Sequence, residues 1–313
     1  MSYTDLITVG VPTYNRPDGL KHTLDCLLKQ TYQNMRIIVS DNCSINQKAI
    51  NEIVDEYSKK DSRIEFFRQE QNIGAIKNLM FLLNKAESEF FMWAADDDEF
   101  DEMFVEELCR ALVEHPEAVV TISGVTVTDQ MTDTPITVNL TPHLQKLSGK
   151  TAFERLSNHI MQPVEQGSAR ILWGLCRREI LKNAVESVVL QSKKDEILWI
   201  DFPVDLEILK YGDVVVVPKE LFHVYLLPTS DGLREGNTFN KKEVEMCKRS
   251  YQAYHNVVND SDLTETQKQF LNKILSRKQS MDLIKIVPFY VIKRYAPWLA
   301  RWLKKVYFAL IVR

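Results

Sequence analysis

The 313 residues suffice for one large domain with an appendage or for two domains, and a composition 45% hydrophobic and 26% charged supports a real core, not a disordered chain. Five cysteines, Cys26, Cys43, Cys109, Cys176 and Cys247, are odd in number and widely scattered, which excludes a disulfide scaffold and points to reduced thiols. The net charge of -4 does not suit nucleic acid as a partner, yet it conceals a basic end: from Arg277 to Arg313 nine Lys or Arg accompany the single acid Asp282, a net +8 that leaves -12 on the rest.

The N-terminus has no signal-peptide pattern, since Tyr3-Thr4-Asp5 runs straight into a strand-like segment; a cytosolic start is expected. Leu6 to Pro12 reads as a first strand, Thr13 to Pro17 as the loop that closes it, and Pro17 as the first residue of a helix carrying Leu20, Leu24, Leu27 and Leu28. Arg36 to Asp41 is a second strand. Ile50, Ile53, Val54 and Tyr57 mark a second helix, Ile64 to Phe67 a third strand, and Leu79, Leu82 and Leu83 a third helix. The bulky run Phe90-Phe91-Met92-Trp93 has the composition of a buried fourth strand. Such alternation predicts a mainly parallel sheet with helices on both faces, whose ligands bind beyond the carboxyl ends of the strands.

Polar residues gather at those strand ends: Asn15 and Arg16, then Asp41 and Asn42, then Asn72 and Gly74, then Asp96-Asp97-Asp98. Three adjacent carboxylates repel one another and call for a cation or strong solvation. Alternate residues leaving a strand share a side, so Asp96 and Asp98 would grip one Mg2+ or Mn2+ and leave positions for a diphosphate. The other reading places these acids at the N-terminus of a following helix, favoured by its dipole.

Further on, Val105, Leu108 and Leu112 predict a helix, Ala118 to Ile122 a strand, and the Thr- and Pro-rich segment from Thr128 to Gly149 an irregular surface excursion. Phe153, Leu156 and Ile160 suggest a helix, Ile171 to Cys176 a strand, Leu206 to Leu209 a helix ending at Gly212, and Val214 to Pro218 a strand. Two helices are expected over 241–256 and 264–286. In the basic tail, Trp298, Trp302, Tyr307 and Phe308 mix with Lys and Arg, and no stretch reaches the ~18 uncharged residues of a spanning helix. Either an interfacial helix on anionic lipid or a helical cap on the domain fits.

With these motifs in order, the chain resembles the inverting glycosyltransferases of family 2, from about Leu6 to about Tyr225. "VPTYNRPDGLKHTL" is similar to the family's opening strand and helix, "IIVSDNCS" to its second strand, "NIGAIKN" to its Asn-x-Gly segment, and "WAADDDEF" to its metal-binding Asp-x-Asp. The resemblance implies the α/β GT-A nucleotide-sugar fold, a catalytic domain over 1–230 and a helical C-terminal region over 231–313. It implies a nucleoside-diphosphate sugar donor lying on Pro12, Tyr14, Asn15, Arg16, Asp41, Asn72, Gly74, Lys77, Asn78, Asp96 and Asp97. Asp98 and Asp96 would hold the metal, and His223 in "LFHVY" is a candidate further ligand. The family's catalytic base would be Asp201, with Asp205 one helical turn on as its rival. Trp173-Gly174, Trp199, Tyr225 and Asp231-Gly232 are candidates for lining an acceptor sugar.

The implied acceptor is a glycan or lipid-linked glycan of a bacterial surface polymer, and the implied location is the inner face of the cell membrane. The tail lacks the Gln three residues before Arg301-Trp302 that processive synthases carry, which suits addition of one sugar. A sugar nucleotidyltransferase would carry a Gly-rich loop where Val9-Gly10-Val11-Pro12 stands; a binding protein on the same fold without turnover is the alternative from another class.

Overall fold

A computed structural model describes residues 5–129, 135–163, 166–192, 200–226 and 241–295. Its first half follows the periodicity closely. Strands β1 (Ile7–Thr13), β2 (Met35–Asp41), β3 (Ile64–Arg68) and β4 (Phe90–Trp93) alternate with helices α1 (Pro17–Leu28), α2 (Gln47–Lys60) and α3 (Ala75–Lys85). All four strands are parallel, in the order β3-β2-β1-β4. Continuous runs such as Ile37-Ile38-Val39 are fully buried because helices cover both faces of a parallel sheet. Leu20, Leu24 and Leu27 give α1 its buried stripe at helical spacing, and Pro17 opens it where no N–H is needed.

Beyond β4 the sheet mixes directions. Strand β5 (Asp98–Phe100), helix α4 (Phe104–Glu114), strands β6 (Ala118–Asp129) and β7 (Ile136–Asn139), and helices α5 (Thr141–Leu144) and α6 (Ala152–Met161) follow. A 3-10 helix (Ser168–Trp173), β8 (Leu175–Arg177), α7 (Arg178–Ser192), α8 (Asp201–Tyr211) and β9 (Asp213–Leu226) complete the sheet region. The full order is β3-β2-β1-β4-β8-β6-β9-β5, with β7 added to β6; β8 runs antiparallel to β4 and β6, and β9 parallel to β6. The parallel expectation thus holds for one half of the sheet.

Three local expectations are corrected. The segment after Thr128 is not merely a surface excursion: β7 forms a hairpin with β6, and Leu140, Leu144 and Leu147 bury their side chains on the way back. Ile171 to Cys176 is not one strand; it is the 3-10 helix and β8, divided at Gly174. Helix α7, whose Leu181, Ala184, Val185 and Val188 are buried, was not anticipated.

Helices α9 (Lys241–Asn259) and α10 (Glu265–Tyr295) pack against α8, α7 and α6. Cys247, Tyr251, Tyr254, Val257, Val258, Leu271 and Leu275 join the same continuous core as the strands. Lys278 of α10 donates to the carbonyls of Ile160 (2.7 Å) and Gln162 (3.0 Å), satisfying the exposed carbonyl end of α6. The C-terminal helices therefore share the core of the strand region, and the boundary expected near residue 230 falls outside the described residues.

Candidate active site

The strand order makes β1 the point where the chain changes winding direction, with β2 on one side and β4 on the other. Crevices of doubly wound sheets open there, beyond the carboxyl ends of the strands. The register sets Gly10 beside Trp93, so that the residues three further on, Thr13 and Asp96, meet outside the sheet. The Thr13 hydroxyl donates to Asp96 Oδ2 (2.8 Å), and Arg16 Nη1 lies 3.1 Å from Asp96 Oδ1 and 2.8 Å from Asp97 Oδ2. Helix α1 leans directly on this turn: Thr23 donates to the Ala95 carbonyl (3.0 Å), and a Cβ at Gly19 would stand 2.0 Å from the Asp96 carbonyl oxygen. Only glycine permits that approach.

Asp96 and Asp98 are buried although no strand joins them; a turn at Asp96-Asp97 separates β4 from β5. Burial pushes the Asp98 carboxyl up to about 8, reinforced by Asp97 and Asp96 and opposed by Arg170 and Arg16. Burial likewise pushes Asp96 up to about 6, against the pull of Arg16 and Thr13. Two hard oxygen donors whose ionised form burial disfavours suit a divalent cation, which would take the place of the proton and remove the repulsion. Among the described residues no group of three His, Cys, Asp or Glu is positioned as a metal cage, so remaining ligands would come from substrate or water. Helix α4 begins only at Phe104, so these acids do not form its first turn.

His223 is not brought to Asp98. In the β5–β9 ladder His223 pairs with Glu99 and Asp98 with Val224; successive residues face opposite sides of a sheet, so His223 shares the Glu99 face. There it meets Thr126 Oγ1 (2.7 Å), while Tyr225 donates to Glu99 (2.8 Å) on the same face. His223 therefore stands on the face of the ladder opposite to Asp98.

The expected donor residues divide by exposure. Asp41 is fully buried: its carboxylate accepts from the Ser44 N–H (3.0 Å), the Ser44 hydroxyl (2.5 Å) and Arg68 Nε (2.9 Å). Asn78 is also buried, exchanging hydrogen bonds with the Ser40 side chain and carbonyl. These two residues brace the floor. Tyr14, Asn72, Gly74 and Lys77 are exposed, with Pro12, Asn15 and Arg16 partly so. Gly74, at φ +85, caps α3 in a conformation other residues resist. Asn15, at φ 58, holds the loop by accepting from the Ile45 N–H (2.7 Å) and donating its own N–H to Ser44 (2.7 Å). Ser44 and Arg68 thus complete an arrangement that sequence reasoning missed.

Asp201 is the first residue of α8 and is partly exposed, whereas Asp205 is fully buried beside His159, whose Nε2 is 3.7 Å away. Burial raises the Asp201 carboxyl; its own backbone N–H and Arg170 pull it back. Burial raises Asp205 much further, with repulsion from Asp201 added. Of these two aspartates, only Asp201 is partly exposed. Tyr254 of α9 also feels the Asp201 charge, and its ring packs 4.6 Å from Phe202. The charge of Arg170, which no motif singled out, acts on Asp98 and Asp201 alike. Trp173 packs partly buried against the core. Trp199 and Asp231-Gly232 lie outside the described residues.

The family model described as Glycosyl transferase family 2 matches residues 8–170, just over half of the chain. The chain belongs to glycosyl transferase family 2. Among curated relatives, "Glycosyltransferase GlyA" of Streptococcus pneumoniae is 34% identical over 116 residues, 37% of this chain and 16% of the relative. "Putative teichuronic acid biosynthesis glycosyltransferase TuaG" of Bacillus subtilis is 26% identical over 113 residues, 36% of this chain and 44% of the relative. The matched segments span less than half the length of these relatives. Among solved structures, S. aureus TarS 1-349 in complex with UDP-GlcNAc superposes with a TM-score of 0.65 at 17% identity, covering 91% of this chain and 82% of that one. The mannosyltransferase PcManGT from Pyrobaculum calidifontis, in complex with GDP-Man and Mn2+, gives 0.54 at 14% identity, covering 100% and 82%. At such identities the likeness concerns the fold, which for this family 2 chain is the GT-A type.

Proposed function

We propose that this family 2 chain transfers one sugar from a nucleoside-diphosphate donor to an acceptor hydroxyl, with inversion at the anomeric carbon and with help from Mn2+ or Mg2+. What supports the reading is the acid turn Asp96-Asp97-Asp98 next to the winding switch point, together with a partly exposed Asp201 at the start of α8 that shares with Asp98 the opposing charge of Arg170. Asp98 would hold the cation, with Asp96 beside it, and a bound cation would supply charge neutralisation for the departing diphosphate. Arg16 and Thr13 fix the Asp96 carboxylate; Tyr14, Asn72 and Lys77 offer exposed groups to the donor. Asp201 takes the proton of the acceptor hydroxyl as its oxygen bonds to the anomeric carbon. Burial of that carboxyl makes it a stronger base than an exposed aspartate.

The relatives support a surface-glycan setting: TuaG is named for teichuronic acid biosynthesis, and the TarS structure holds UDP-GlcNAc. A glycan or lipid-linked glycan is accordingly the proposed acceptor. The metal assignment has a pH signature. Asp98 and Asp96 keep protons in the folded state that the unfolded chain releases above about 4, so metal-free stability declines as pH rises from about 4 through about 8. A cation competes with those protons and binds more tightly as pH rises over that window. The melting-point gain from Mn2+ should be larger at pH 8 than at pH 6. Equal gains at both, or none, would remove Asp98 and Asp96 from the metal site.

The C-terminal segment gives a second, separable expectation. No helix among the described residues is long and apolar enough to cross a membrane, while nine basic residues accumulate after residue 276. We assign the tail to peripheral contact with an anionic lipid surface at the inner face of the cell membrane, each engaged Lys or Arg contributing about 1 kcal/mol. Removing the residues after Val287 should release the protein from anionic liposomes in low salt without loss of donor hydrolysis. Equal co-sedimentation of the full and shortened chains refutes that role.

A further inference from the structure

Arg170 sits in the 3-10 helix at a place fixed from several sides. Ile171 and Leu172, immediately after it, are fully or almost fully buried, so the backbone cannot drift. The 3-10 helix packs against β4, which leads into the acid turn, against β6, and against α8, which opens with Asp201. Arg170 itself remains partly exposed between these buried anchors. Its charge acts on both Asp98 and Asp201, yet no carboxylate lies within ion-pair distance of it among the described residues. By contrast Arg16, the neighbouring cation, is committed to Asp96 and Asp97 at 3.1 and 2.8 Å. A partly exposed guanidinium near two acids, without a direct carboxylate partner, is suited to a bidentate anion, and phosphate oxygens match its fork.

We propose that Arg170 is a catalytic residue whose guanidinium binds the diphosphate of the donor and receives the charge that develops on its leaving oxygen. This rests on the sugar-transfer reading above. As the acceptor oxygen bonds to the anomeric carbon, its proton passes to Asp201. The carbon–oxygen bond to the diphosphate breaks, and its electron pair stays on the β-phosphate oxygen. That oxygen gains negative charge only as the bond breaks, so a donor placed there in advance stabilises the transition state more than the bound substrate.

The test compares affinity for a nucleoside diphosphate with affinity for the matching monophosphate, in Mn2+, by calorimetry. UDP with UMP and GDP with GMP are the probes, and the pair bound by the wild-type protein is carried forward. Arg170→Ala should reduce the diphosphate-over-monophosphate preference by about 10-fold or more and lower kcat by about 100-fold. Arg170→Lys, retaining the charge without the fork, should fall between the two. An unchanged preference in a folded Arg170→Ala protein, with only the acid limb of the pH–rate profile displaced, would overturn the proposal and leave Arg170 as a positioning residue for Asp201. Failure of the wild-type protein to bind either diphosphate would instead count against the sugar-transfer reading.

Discussion

Asp98→Asn should give a protein that melts at or above the wild-type temperature near pH 8 and has lost about 100-fold or more of its metal-dependent turnover. The two effects diverge because the same burial causes both. Asp98 is enclosed beside Asp97 and Asp96, and its carboxyl is pushed up to about 8, so ionising it opposes folding. Asparagine keeps the shape and removes the charge. That relieves the fold while deleting the hard oxygen donor a divalent cation needs, and loss of metal assistance to a departing diphosphate is worth several kcal/mol of barrier. Thermal melts and donor turnover measured on the same preparation check the pair of outcomes. A destabilised but active variant would show that Asp98 serves packing alone.

Asp201→Asn should retain nucleotide affinity and lower kcat by about 100-fold to 10,000-fold, because a base acts on the acceptor and not on the diphosphate. In the wild-type protein activity should fall as pH drops through the raised pKa of Asp201, at higher pH than an ordinary aspartate would dictate. Asp205→Asn is the contrasting variant. Asp205 is fully buried beside His159, and burial together with Asp201 raises its carboxyl so far that the neutral form dominates. Asparagine resembles that neutral form, so turnover should remain within about three-fold of wild type. Kinetics of the two variants across pH 5 to 9 decide the matter; an inactive Asp205→Asn beside an active Asp201→Asn would reverse the assignment.

The first half of the fold was legible because its helices and strands carry clean periodic signals with polar punctuation. Leu20, Leu24 and Leu27 fit the helical period, while the run Ile37-Ile38-Val39 is β-branched and bounded by the polar Ser40-Asp41, and all six are fully buried. Ile171 to Cys176 misled because a short apolar run fits strand and buried helix equally, and Gly174 divides it. Helix α7 did carry its own signal in Leu181, Ala184, Val185 and Val188, four residues at helical spacing. Motif order singled out the acid turn and Asp201, which the structure sets at the end of β4 and at the start of α8. The position of His223 was not legible, since which face of the sheet it occupies depends on pairing with Glu99, a contact 124 residues apart in the chain. Arg170 carries no local signal at all. Only the packing of the 3-10 helix between β4 and α8 brings it near the acid turn and the start of α8.

The most direct measurement is release of nucleoside diphosphate from a panel of UDP-, GDP- and dTDP-sugars by the full chain, with Mn2+ and then with EDTA. Sugar transfer through this site predicts slow release from at least one donor, even to water, that EDTA abolishes and Asp98→Asn lacks. The released sugar or glycoside should carry the anomeric configuration opposite to that of the donor. No release from any donor with either Mn2+ or Mg2+, in a protein that is folded by its melting curve, would contradict the account.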